Sequence, residues 1–274
     1  MPIRKKDIKR LSADVRRIID GQVFDLRDNR EGVFSILKND IHTLANLKNE
    51  QVAALKHDRD TLKNTLADIS HQLKTPLTSM MIMAELLENA PPEKAAEFAA
   101  NIKTSLLRME WLVSALLKMA KLDAGAVEFS RESVKASALA KLALDPLQIL
   151  LEIRNQRAEV AGDTDLLCDS RWTAEALSNL LKNASEYSPD GGVIRIESGK
   201  NPVCAWISVT DSGAGIPSEE ITGLFRRFKG SRSDKGFGIG LPLALAIMRG
   251  QGGDVEINGG GNGIGATFTL KIYA

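Results

Sequence analysis

The chain has 274 residues, 43% of them hydrophobic and 26% charged, so one large or two modest domains with a proper core are expected. A formal net charge of +1 supplies no global basic field, which excludes nucleic acid as an expected partner. Two cysteines, Cys168 and Cys204, and three histidines, His42, His57 and His71, show no disulfide or metal-ligand spacing, and a reducing cytoplasmic setting fits.

No apolar run reaches the ~18 residues that a membrane span needs, and no signal peptide stands at the start. The basic opening (Arg4, Lys5, Lys6, Lys9, Arg10) reads as a solvated helix end. It also suits the cytoplasmic flank of a membrane anchor upstream of residue 1. The chain up to residue 122 is predicted helical, interrupted at Gly21, Gly32 and Pro91-Pro92. Leu37, Ile41 and Leu44, then Leu55, Leu62, Leu66, Ile69, Leu73 and Leu77, recur at helical steps and form one apolar stripe. Proline lacks an N–H and clashes with the preceding turn, so Pro91-Pro92 breaks this helix. A second stripe follows in Phe98, Ile102, Met109, Leu112, Leu116 and Met119. The two helices predict an antiparallel hairpin. One hairpin cannot cover both stripes, but two copies in a four-helix bundle can, so a homodimer is expected.

Near Asp123-Ala-Gly125 the pattern changes to mixed strands and helices. Helix is predicted over 133–153 and 174–187, around 218–227 and over 241–249. Strands are predicted at 193–197, 203–210, 254–258 and 266–272. Strands with helices segregated between them give an α+β sandwich. The expected domains are a helical linker over 1–59, a hairpin over 60–123 and a sandwich over 124–274.

Four motifs carry chemistry. In Ser70-His-Gln-Leu-Lys-Thr-Pro-Leu77, His71 and Thr75 share a helix face, and Pro76 bends the helix just after them. A neutral imidazole on a solvated helix is a competent nucleophile near neutral pH. Asn179 and Asn183 repeat the four-residue spacing, and their side-chain oxygens suit a hydrated Mg²⁺ that bridges phosphates. Asp211-Ser-Gly-Ala-Gly215 follows an apolar strand, which places a carboxylate where an exocyclic amine can donate to it. Gly213 and Gly215 permit a tight turn and a close approach of a flat ring. Gly236-Phe-Gly-Ile-Gly240 opens a helix, whose first N–H groups favour anions. It is neither a dinucleotide fingerprint nor a P-loop, since the further glycine and the Gly-Lys-Ser/Thr are missing. The basic stretch before it, with Lys229 and Arg232, is placed to fold over phosphates. Each motif alone is an ordinary helix face or turn.

In this order and at these separations the motifs resemble the H, N, G1, F and G2 boxes of sensor histidine kinases, over residues 60–272. The F box corresponds to Phe225 and Phe228. The resemblance implies a dimerising phosphotransfer hairpin followed by an ATP-binding α+β two-layer sandwich of the Bergerat (GHKL) type. It implies that His71 is phosphorylated from ATP and passes the group to an aspartate of a response regulator receiver domain. It further implies that Asn183 and Asn179 position Mg²⁺, that Tyr187 and Thr267 lie near the nucleotide, and that Asp211 takes the adenine amine. Gly236, Gly238 and Gly240 would line the phosphates. Thr75 matches the position that orients water for dephosphorylating the partner. Residues 1–59 read first as a plain signalling coiled coil and resemble the family's HAMP-type linker only loosely.

Three residues depart from the pattern. Gln72 stands where many relatives carry an acidic base, and general base help is typically worth ~10²–10⁴-fold. Glu186 replaces a phosphate-facing lysine, a charge that Lys182, Lys229 or Arg232 would have to supply. Ala266 replaces a hydroxyl residue. Gln72 and Glu186 favour, as the alternative, a phosphatase-dominated or weakly active dimeric scaffold. An ATP-driven clamp of the same superfamily fits less well, because the hairpin with His71 precedes the nucleotide domain.

Overall fold

The computed structural model describes residues 5–19, 33–228, 237–260 and 265–273. It divides into two compact units, Met1–Ala67 and Asp68–Ala274. The first holds helix α1 (Lys5–Ile19) and the start of α2 (Val33–Leu87). Gly21 and Gly32 lie outside the described residues. Among the described residues no helix is long and apolar enough to cross a membrane.

The second unit opens with the end of α2, which runs on through Pro76, and with α3 (Pro92–Asp123). Pro91 caps α3, and Pro92 begins it with a φ already suited to a helix. Among the described residues, seven strands and five further helices follow. Strand β1 (Glu132–Lys135) is succeeded by α4 (Ala136–Leu144), a 3-10 turn over Asp145–Leu147 and α5 (Gln148–Ile153). Then come β2 (Arg157–Ala161), β3 (Asp165–Cys168), α6 (Ser170–Tyr187), β4 (Val193–Lys200) and β5 (Cys204–Thr210). The chain closes with α7 (Ser218–Ile221), α8 (Gly240–Gly250), β6 (Gly253–Asn258) and β7 (Thr267–Tyr273).

The main sheet runs β2-β4-β5-β7-β6, with only the β2–β4 pair parallel, and β1 pairs with β3 in a separate ribbon. Ile194, Ile196, Ile207, Val209, Phe268 and Leu270 project from one face of this sheet into the core. Leu139 of α4, Leu177 and Leu180 of α6, and Leu243 and Ile247 of α8 meet them from the helical layer. The other face carries Arg195, Glu197, Thr269 and Lys271. There Trp206 lies over Gly199, with no room for a side chain between them. This is the two-layer sandwich that the strand alternation predicts.

Two predicted helices are corrected. Residues 133–153 begin as a strand, because Glu132–Lys135 is claimed by pairing with β3. The helix at 218–227 stops at Ile221, and turns carry the chain to Phe228, whose positive φ of 58° no helix allows.

The hairpin joins the same core. Leu112, Ala115 and Met119 of α3 are buried with α8. The connection from α3 is fixed by several contacts. Ser130 N–H donates to Asp169 Oδ2 at 3.0 Å, and Arg131 donates to the Gln251 carbonyl. Phe129 meets Trp172 edge-on at 5.9 Å and lies where any side chain at Gly250 would stand. Leu177 is fully buried at the centre of the helical layer. Truncating a buried leucine removes transfer energy and leaves a cavity, so Leu177→Ala should lower unfolding free energy by about 2–5 kcal/mol. Urea melts followed by circular dichroism measure it.

Candidate nucleotide and phosphoacceptor sites

Asp211 follows the last residue of β5 and is buried. Its Oδ1 accepts from Gly213 N–H at 2.8 Å and from Ala266 N–H at 3.1 Å. Its Oδ2 has no protein partner among the described residues. Burial pushes the carboxyl above its usual range, and those two bonds return part of the shift. The backbone around it excludes side chains. A Cβ at Gly213 would stand 2.6 Å from the Tyr187 carbonyl, and one at Gly265 would stand 1.8 Å from the Asp211 carbonyl. Gly215 holds a φ of 78°. The glycines let the backbone close around the carboxylate, and the result is a recess with a carboxylate oxygen unpaired among the described residues, suited to a planar group that donates an N–H.

The α6 helix supplies a second wall. Asp169 caps its start by accepting from Arg171 and Trp172 N–H. Asn179 Nδ2 donates to the Glu175 carbonyl at 2.9 Å, and its Oδ1 lies 3.0 Å from where a Gly240 Cβ would be. Asn183 stands one turn on, half-buried, with no hydrogen bond among the described residues. Two amide oxygens on one face, beside the first turn of α8, are a donor set that fits a hard cation with phosphate oxygens. Gly238, at φ 65°, accepts from Phe228 N–H at 3.2 Å, which ties the two chain segments together before α8. Lys229, Arg232 and Gly236 lie outside the described residues.

One expectation changes. Thr267 pairs across the sheet with Thr210, and their hydroxyls meet at 2.9 Å. The strand pleat therefore points Thr267 to the face opposite Asp211, and the residue beside the recess is Ala266. Tyr187 is 37% exposed at the end of α6, so it lies at the rim of the recess.

The residues that brace this rim escaped the sequence reading. Gln156 is buried and its amide donates to the carbonyls of Ser185 (3.0 Å), Ser188 (3.2 Å) and Pro189 (3.1 Å). Arg154 donates to the Ser185 and Ser188 carbonyls as well. Together they satisfy the open carbonyls at the end of α6. Ser188 Oγ then accepts from Ser212 N–H at 3.1 Å, which fixes the turn after Asp211. A polar pair before a short strand gave no periodic signal.

His71 lies on α2, apart from this cluster, and its side chain is exposed. Thr75 Oγ1 donates to the His71 carbonyl at 3.2 Å, a bond made possible by their spacing on the helix. Gln72 is half-buried, and Leu73 packs against the core.

A helical hairpin with an exposed histidine is thus followed by a two-layer α+β sandwich. Residues 61–125 match the family model "His Kinase A (phospho-acceptor) domain". Residues 168–274 match "Histidine kinase-, DNA gyrase B-, and HSP90-like ATPase". Sensor histidine kinase WalK of Bacillus subtilis (strain 168) is 32% identical over 220 residues, which are 75% of this chain and 36% of WalK. The signal transduction histidine-protein kinase/phosphatase MprB of Mycobacterium sp. (strain KMS) is 28% identical over 82% of this chain and 46% of MprB. Full-length ShkA in complex with AMPPNP superposes with a TM-score of 0.57 at 25% identity, covering 77% of this chain and 46% of that one. The chain belongs to the sensor histidine kinases of two-component systems. It spans less than half the length of the two curated relatives.

A buried carboxyl with a raised pKa favours folding below the ordinary carboxylate value, and that contribution is lost as pH rises through the raised value. Asn keeps the Oδ1 acceptor for Gly213 and Ala266 without the charge. The stability of Asp211→Asn should therefore gain on that of the unsubstituted chain as pH rises from about 4 to about 7. Denaturant melts at both pH values check the sign.

Proposed function

We propose that this chain is the phosphoryl-transferring part of a sensor histidine kinase, with ATP as donor and His71 as acceptor. One observation carries the reading. A single chain holds both an exposed histidine on a hairpin and, at the end of β5, a carboxylate recess walled by glycine. In this reading the domains are a linker over 1–59, the phosphotransfer hairpin over 60–123 and the ATP-binding domain over 124–274.

Asp211 Oδ2 accepts from the adenine amine, Gly213 and Gly215 admit the ring, and Tyr187 borders it. The N–H groups from Gly238 and Gly240 into α8 face the phosphates, and Gly236, Lys229 and Arg232 are assigned to the same phosphates from their place in the sequence. Asn183 and Asn179 would hold Mg²⁺, which neutralises phosphate charge when bound. The neutral His71 imidazole attacks the γ-phosphorus in line, an N–P bond forms, and the bond to ADP breaks. The imidazole proton leaves to water, since the Gln72 amide is no base. The group then passes to an aspartate carboxylate on a response regulator receiver domain. That domain docks on the hairpin surface around His71, Thr78 and Ser79. The hydroxyl of Thr75, which donates to the His71 carbonyl, keeps lone pairs with which it can accept from a water, and this supports phosphatase action on the same partner.

The hairpin is proposed to pair with a second copy in a four-helix bundle. Leu77, Met81, Leu86, Leu106, Leu107 and Leu117 are each about half exposed on α2 and α3, and a second copy would cover them. The protein acts in the cytoplasm, and the basic residues from Lys5 to Arg10 suit an anchor to the membrane upstream of residue 1. A scaffold dominated by phosphatase activity is the second reading, favoured by Gln72.

Incubation with γ-labelled ATP and Mg²⁺ should give an acid-labile, base-stable label that His71→Ala abolishes. No label despite nucleotide binding would establish the scaffold instead, and hydrolysis that survives His71→Ala would point to a clamp. Placing a carboxylate beside the histidine should quicken labelling of Gln72→Glu by about tenfold or more. An unchanged initial rate would show that the amide is not what limits transfer.

A further inference from the structure

The α3 helix grips the nucleotide domain through side chains that border the phosphate site. Lys118 Nζ meets Glu175 of α6 at 2.7 Å. Two turns away along both helices, the Lys182 ammonium stands 4.5 Å from the centre of the Trp111 ring. The Trp111 ring also stacks on Phe237, with centroids 6.2 Å apart and planes 15° apart. Asp123, at the end of α3, pairs with Arg227 at 2.8 Å. Phe237 immediately precedes Gly238, and Arg227 precedes the Phe228 that bonds to it. Lys182 follows Asn179 by three residues on α6 and directly precedes Asn183, and the lysine expected at position 186 is replaced by Glu186.

Trp111 therefore holds a cation of the helix that carries Asn179 and Asn183, and the residue that leads into the phosphate-facing turn. We propose that Trp111 is a latch that competes with nucleotide phosphates for Lys182, so that nucleotide binding and docking of the sandwich on α3 oppose one another. This rests on phosphates binding beside α6 and the start of α8. An ammonium over an indole face is attracted by the ring quadrupole, and a phosphate offers a stronger partner. When Lys182 turns to phosphate, it leaves Trp111, and Phe237 follows as the turn closes on the ligand. The sandwich is then released to carry its nucleotide to a histidine. By linkage, whatever favours docking weakens nucleotide binding by the same factor.

Calorimetric titration of the full chain with a β,γ-imido ATP analogue and Mg²⁺, and separately with adenosine, tests this. Leucine keeps the apolar contact of Trp111 and removes the ring face. Trp111→Leu should lower the Kd of the analogue by about three- to tenfold and leave that of adenosine unchanged, since adenosine makes no claim on Lys182. Trp111→Phe should restore most of the unsubstituted value. Lys182→Met should weaken analogue binding and abolish the gain from Trp111→Leu in the double variant. If Trp111→Leu does not fold, Phe237→Leu breaks the same stack from the other side and carries the same expectation for the analogue. An analogue Kd that is unchanged or raised, or an equal shift for adenosine, overturns the latch and leaves the nucleotide site standing. Absence of analogue binding in the unsubstituted chain overturns both.

Discussion

The Asp211 carboxyl is buried at the end of a central strand, and much around it follows from keeping it there. Taking a carboxylate out of water is costly unless its oxygens are satisfied. One oxygen is bound by two backbone N–H groups, and the other has no protein partner among the described residues. Those N–H groups can reach it only because Gly213 and Gly265 let the main chain approach more closely than any side chain would permit. The turn after Asp211 is in turn pinned by Ser188, and Ser188 is held by Gln156 and Arg154. A recess for one planar ligand thus depends on bonds that reach the start of β2, across the sheet from β5.

The second constraint is apolar. Leu112, Ala115 and Met119 belong to one continuous core with α6 and α8. The second compact unit accordingly begins at Asp68, inside α2, and holds the end of the hairpin together with the whole sandwich. Sequence pattern divides the chain where the periodicity changes, near Gly125. Packing groups residues by what they bury. The two divisions answer different questions, and a helix can belong to the hairpin by pattern and to the sandwich by contact.

Much of this was legible in advance. The long helices, four of the main sheet's five strands and the sandwich's two layers follow from periodicity. The Asn179–Asn183 pair and the placement of Asp211 after a strand were visible in spacing alone. The failures were of other kinds. The β1, β2 and β3 strands are four or five residues long, and β2 is largely exposed, so neither length nor alternation marks them. They exist because a distant partner supplies the hydrogen bonds. Thr267 was assigned to the wrong side of a strand by a single residue, which in a pleated sheet reverses the face. Gln156 and Arg154 act on carbonyls about thirty residues onward, a relation without a local pattern.

The aromatic residues give the molecule one more property. Its three tryptophans fall in three separate places. Trp206 lies within the sheet against Gly199, Trp172 sits where the chain enters the sandwich against Phe129, and Trp111 lies between the hairpin and the nucleotide domain. Their emission is therefore resolvable in principle into separate reporters of sheet integrity, linker attachment and domain docking. Variants retaining one indole at a time would turn a single fluorimeter trace into a map of which joint opens first.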